Sequence, residues 1–120
     1  MIRLAACIFL AAAAATAQQP TPLAGEWSVD LRREPQAPAY LKLMTLTVAP
    51  DGKLTGSFYE HAIEAGRAIT TDGRPCFAFR TSDASGPYHT SGCLKGEVIE
   101  GQTWSEGRSF VLAWTASRSR

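Results

Sequence analysis

The stretch from Pro75 to Leu94 constrains this chain most. It holds two strand-like arms around a loop, Asp83 to Pro87, built from residues that favour turns. Folding the arms symmetrically about that loop sets Cys76 opposite Cys93. The same register sets Phe77 against Gly92, Phe79 against Thr90, Arg80 against His89 and Thr81 against Tyr88. Side chains alternate between faces along a strand. One face of the hairpin therefore carries Phe77, Phe79, Tyr88 and Leu94. The other carries both cysteines, Arg80, His89 and Ser91. A single register satisfies the cysteine pairing and the segregation of apolar from polar side chains, so a disulfide-stapled hairpin is expected here.

The disulfide asks for an oxidising compartment, and the start of the chain agrees. A short basic opening, Met1-Ile2-Arg3, precedes an apolar run from Leu4 to Ala15 and a small-x-small site, Ala15-Thr16-Ala17. This is the layout of a secretory signal peptide over residues 1–17, and the run is too short for a permanent transmembrane helix. A rival lipoprotein box, Leu4-Ala5-Ala6-Cys7, would be cut ahead of most of the apolar run, the reverse of the usual order. The expected protein is exported, to a bacterial periplasm or beyond, with no membrane span. Gln18 to Arg120 then suffices for one domain, with a polar, flexible leader at 18–24 and a barrel at 25–118. Without Arg3, basic and acidic residues balance, so neither nucleic acid nor an anionic membrane is an expected partner.

Hydrophobic alternation organises the rest. Trp27, Val29 and Leu31 share one face of a first strand. Arg33 to Ala39, with Pro35 and Pro38, is a loop. Tyr40 to Ala49 is a second strand, whose apolar phase shifts from Leu41 and Leu43 to Met44, Leu46 and Val48; the shift predicts a bulge or bend. Pro50-Asp51-Gly52 turns into Lys53 to His61, and Ile63 to Thr71 follows. The stapled hairpin supplies two more strands, and Val98 to Ser105 and Ser109 to Ala116 complete eight. Gly56, Gly66, Gly92 and Gly101 fall inside strands, where glycine marks bends or close backbone approach. The expected fold class is all-β, an eight-stranded antiparallel up-and-down β-barrel with one hairpin disulfide. A two-sheet sandwich is the alternative. Whether Thr103 or Trp104 faces inward rests on the register of the last hairpin.

Leu23-Ala24-Gly25-Glu26-Trp27, Asp51 to Phe58, and Phe110-Val111-Leu112-Ala113-Trp114 through Arg118 resemble strands of the calycin group of small barrels, avidin-like and lipocalin-like proteins in particular. The resemblance implies a ligand-binding barrel. Biotin is not implied: Phe58 stands at the position of a biotin-contacting tyrosine, Glu60 at that of a small hydroxyl residue, and Phe77 and Phe79 where tryptophan is expected. The chain is also similar in size and layout to small periplasmic inhibitors of metalloproteases. That resemblance implies a protease target reached by a free segment, Gln18 to Leu23, although the disulfide here lies later in the chain.

Trp27, Phe58, Phe77, Phe79, Tyr88 and Trp114 are the candidates for lining a ligand cavity, with Phe110 beside them; alternatively they fill the barrel. His61 and His89 have no nucleophile fixed beside them by spacing, so no catalytic residue is assigned. A zinc site of Cys76, Cys93, His89 and His61 matches no compact zinc motif, and no metal or cofactor is expected. The sequence thus points to a non-enzymatic binder of a small apolar or aromatic ligand, with a protease inhibitor or a structural envelope domain as the alternatives.

Overall fold

The computed structural model describes residues 22–119; the expected signal peptide and most of the expected leader lie outside the described residues. Nine strands follow one another: β1 (Gly25–Asp30), β2 (Leu41–Val48), β3 (Lys53–Phe58), β4 (His61–Ala62), β5 (Glu64–Thr71), β6 (Arg74–Asp83), β7 (Gly86–Lys95), β8 (Val98–Ser105) and β9 (Phe110–Arg118). Every pairing is antiparallel. β9 returns to pair with β1, as Trp27 with Arg118 and Val29 with Ala116, and β2 pairs with β3. The result is a closed barrel of eight strands, with two-residue β4 as a spur on β3. The ring closes most narrowly at the β3–β5 seam, where only Lys53–Arg67 and Leu54–Gly66 pair.

The stapled hairpin forms in the expected register. Cys76 pairs with Cys93, Phe77 with Gly92, Phe79 with Thr90 and Arg80 with His89. The disulfide joins Cys76 and Cys93 on the outer face, with Cα atoms 4.0 Å apart. The last hairpin turns Thr103 inward, 6% exposed, and leaves Trp104 outside at 46%.

Two local expectations are corrected. The phase shift in β2 is not a bulge. β1 and β2 pair without interruption from Gly25–Leu46 to Asp30–Leu41. Leu41 and Leu43 simply point outward and are about half exposed, while Met44 and Leu46 enter the core. The irregularity lies instead between β3 and β5. β3 stops at Phe58, not at His61. Tyr59 and Glu60 then form a two-residue turn with both φ positive, at 54° and 65°. That turn geometry normally selects Asn or Gly, so the sequence gives no sign of it. Ala65 is also left-handed, and the β5–β6 register shifts between Glu64 and Arg67.

Strand direction sorts the interior along the barrel axis. At the closed end, the side chain of Leu23 is buried, and its carbonyl accepts the Trp27 indole N–H at 2.9 Å. Leu23 was expected in the leader; its apolar side chain instead plugs the barrel. Arg118 crosses outside, its guanidinium 4.1 Å from the Trp27 ring centre and bonded to the carbonyls of Pro22 and Ala24. Above this plug lie Val29, Met44, Leu46, Leu54, Ile99 and Ala116, all buried. The middle is an aromatic cluster. Phe77 and Phe79 stack at 5.7 Å, while Phe58 packs 6.0 Å from both Phe79 and Trp114. Trp114 has room because its ladder partner on β8 is Gly101, while Gly92, paired with Gly101, leaves space for Phe77 and Ile99. A Cβ on Gly101 would sit 2.4 Å from the indole.

Candidate ligand cavity at the open mouth

A chain of hydrogen bonds forms the floor above the aromatic cluster. The Trp114 indole N–H donates to Thr103 Oγ1 at 3.0 Å, and the hydroxyls of Thr103 and Thr90 are bonded at 2.9 Å. All three side chains are buried, and this chain satisfies the polar groups of each at little cost. Thr81 is also buried there, from β6. Above the floor the barrel is not filled. A cavity of about 580 Å³ opens between the β1–β2 loop, the Tyr59–Glu60 turn and the β8–β9 turn. That volume lies within the range, about 300–1,000 Å³, of small-molecule sites.

The wall is largely aromatic: Tyr40, Phe58, Tyr59, Tyr88 and Phe110, with Leu31 and Leu112 between them. Tyr88 and Phe110 pack with ring centres 6.3 Å apart. Tyr40 and Tyr59 meet edge to face at 6.4 Å and share a hydroxyl–hydroxyl hydrogen bond, with Lys42 Nζ 4.6 Å from the Tyr59 ring centre. The bond to Tyr40 raises the Tyr59 phenol above its ordinary range, and partial burial adds to the effect.

The rim is polar and anchored. Asp30, at the end of β1, accepts from the Arg32 guanidinium and from the backbone N–H groups of Arg32 and Tyr40. This ties both ends of the β1–β2 loop to one carboxylate. The Arg32 hydrogen bond is the main reason that the Asp30 pKa falls to about 2, against some opposing desolvation. Asp83 accepts from the Tyr88 hydroxyl at 2.8 Å and from the Ser85 N–H at 2.7 Å, and its pKa is lowered, chiefly by Tyr88. The buried hydroxyl of Ser105 accepts the backbone N–H of Arg108, fixing the β8–β9 turn.

Of the six cavity candidates, the structure brings Phe58 and Tyr88 to the cavity. Trp27, Phe77, Phe79 and Trp114 also face inward, but deeper, where they fill the barrel and are at most 4% exposed. Alternation along the strands identifies the inner face; depth along the axis decides between wall and filling. Sequence reasoning did not assign Tyr40, Tyr59, Arg33 or Arg108 to a site, and weighed His61 only as a catalytic or zinc-binding residue. Tyr59 and His61 belong to or follow the unrecognised turn, Tyr40 ends the β1–β2 loop, and the arginines sit in loops, where spacing carries no facing information. His89 lies on the outer face, 3.2 Å from Glu106 and stacked on Trp104 at 5.1 Å, and Arg80 engages Glu64. Both cysteines of the considered zinc set are in the disulfide, and His61 is at the mouth. Among the described residues no three His, Cys, Asp or Glu side chains converge on a metal position, and no helix is long and apolar enough to cross a membrane.

No protein-family model, curated protein or solved structure gives a significant match to the chain. The fold itself defines a closed eight-stranded antiparallel β-barrel, consistent with a calycin-like architecture, plugged at one end and hollow at the other.

Proposed function

We propose that this chain is an exported, calycin-like binding protein that takes a small apolar or aromatic molecule into the mouth cavity and performs no chemistry on it. The observation that carries this reading is the change in packing along the axis. The barrel is filled to the level of Thr90, Thr103 and Trp114 and hollow above it, with five aromatic rings around the hollow. Apolar walls with a few fixed polar groups are the usual composition of a small-molecule site. Two left-handed residues at the rim, Tyr59 and Glu60, add support, because backbone strain of this kind gathers at ligand clamps. The signal-peptide layout and the disulfide support export.

A neutral apolar dye, Nile red, tests the reading by fluorescence titration of the exported protein. The expected result is saturable one-to-one binding that is lost in Leu112→Trp, which fills the cavity from β9. Binding that does not saturate, or that survives this substitution, would sink the reading. Deleting residues 18–22 should leave dye binding intact, because Leu23 anchors the chain at the opposite end.

A further inference from the structure

Among the described residues, two guanidiniums at the mouth have no carboxylate partner. Arg33 on the β1–β2 loop and Arg108 on the β8–β9 turn both line the cavity, and each lies over the ring of Phe110, at 5.3 Å and 5.5 Å from its centre. Among the described residues neither takes part in an ion pair, whereas Arg32 beside them is paired with Asp30. The ring orients both cations without neutralising them. Among the described residues the one carboxylate on the cavity wall, Asp83, is occupied by Tyr88 and Ser85. It lies within electrostatic reach of Arg108 and His61 without bonding to either. The whole chain has a formal net charge of only +1. An uncompensated pair of arginines at one aromatic mouth is therefore a local feature of the site, not a reflection of a basic protein.

Both arginines are carried on fixed backbone. Asp30 clamps the loop of Arg33 at both ends, and Ser105 holds the N–H of Arg108. Groups fixed before binding lose less freedom when a ligand arrives. Guanidinium is also the cation best suited to a planar carboxylate, through two parallel hydrogen bonds. Resting on the proposed function above, we infer that the ligand is an aromatic carboxylate: its ring system stacks among Phe58, Tyr59 and Phe110, and its carboxylate is read by Arg33 and Arg108 at the rim.

The test is calorimetric titration of the exported protein with 2-naphthoate, its neutral amide 2-naphthamide, and the cation 2-naphthylmethylammonium. Charge-assisted hydrogen bonds should make the acid at least about tenfold tighter than the amide. The advantage should shrink as salt is raised, and the ratio of acid to amide affinity should fall to about one in Arg33→Gln/Arg108→Gln. Equal affinity for acid and amide overturns the inference while leaving the proposed cavity standing. A preference for the ammonium also overturns it and makes Asp83 the group that reads charge. No binding of any of the three probes overturns the inference; failure of Nile red as well removes the cavity reading beneath it.

Discussion

Replacing Gly101 by alanine probes the packing that separates the filled half of the barrel from the hollow half. An added Cβ would lie 2.4 Å from Trp114 Cη2, 2.5 Å from Cζ2 and 2.7 Å from the Ser91 carbonyl oxygen. The backbone at Ser91 is held in the β7–β8 ladder, so the indole has to move. Overpacking of this kind costs about 1–3 kcal/mol. Moving the indole also strains its hydrogen bond to Thr103, at a further cost of about 1 kcal/mol. Reduced freedom of the unfolded chain offsets about 0.5–1 kcal/mol, since Gly101 does not have the positive φ that would make alanine strained. The net expectation is a loss of about 2 kcal/mol and a fall in Tm of roughly 10–15 °C. Urea unfolding followed by near-ultraviolet circular dichroism reads the change. In a double-mutant cycle, Trp114→Phe, which removes the atoms that clash, should recover about 1 kcal/mol of the loss. A change below about 0.5 kcal/mol in Gly101→Ala, or the same loss in both backgrounds, would refute the account of this packing.

Three further outcomes are expected. Cys76→Ser/Cys93→Ser should remain folded but lose about 3 kcal/mol in urea titrations, since the bond closes a short loop in the unfolded chain; an unchanged midpoint would mean that the hairpin persists in the denatured ensemble. The folded-state pKa of Asp30 is depressed from 3.8 to about 2, so its stabilising contribution is complete above the ordinary value and disappears as pH falls through that window. Asp30→Asn should therefore be less stable than wild type at pH 6, with the gap narrowing as pH falls from 3.8 to about 2 and closing below it, and a stability gap independent of pH would contradict the assignment. Glu60→Gly should raise stability by about 1 kcal/mol in thermal unfolding, because it relieves a left-handed residue at an exposed turn; a lower Tm would show that Glu60 makes a contact outweighing its strain.

The stapled hairpin was legible because two independent constraints, cysteine pairing and face segregation, select the same register. The strand order followed from turn residues and period-two alternation, and Gly92 opposite Phe77 already marked a crowded interior. Leu41 and Leu43 misled because half-exposed leucines on an outer barrel face carry no penalty that alternation would reveal. The Tyr59–Glu60 turn was hidden because tertiary closure holds ordinary residues where local chemistry prefers glycine. The cavity was half legible. Phe58 and Tyr88 were reachable through their strands, but depth along the barrel axis is a property of the assembled ring. Arg33 and Arg108 meet only through Phe110, across a large separation in sequence, and no local pattern predicts that meeting.

The grip of Arg118 on Pro22 and Ala24, together with the bond from the Ser119 N–H to the Glu26 carbonyl, brings both ends of the folded domain to the plugged pole. The hollow is at the other pole. A tether attached at either end, whether a fusion partner, an affinity tag or a linker to a solid support, therefore leaves the entrance facing away from its attachment. Barrels immobilised by their termini would form a layer with entrances directed into solution, an orientation that follows from where β1 meets β9 and requires no engineering of the mouth.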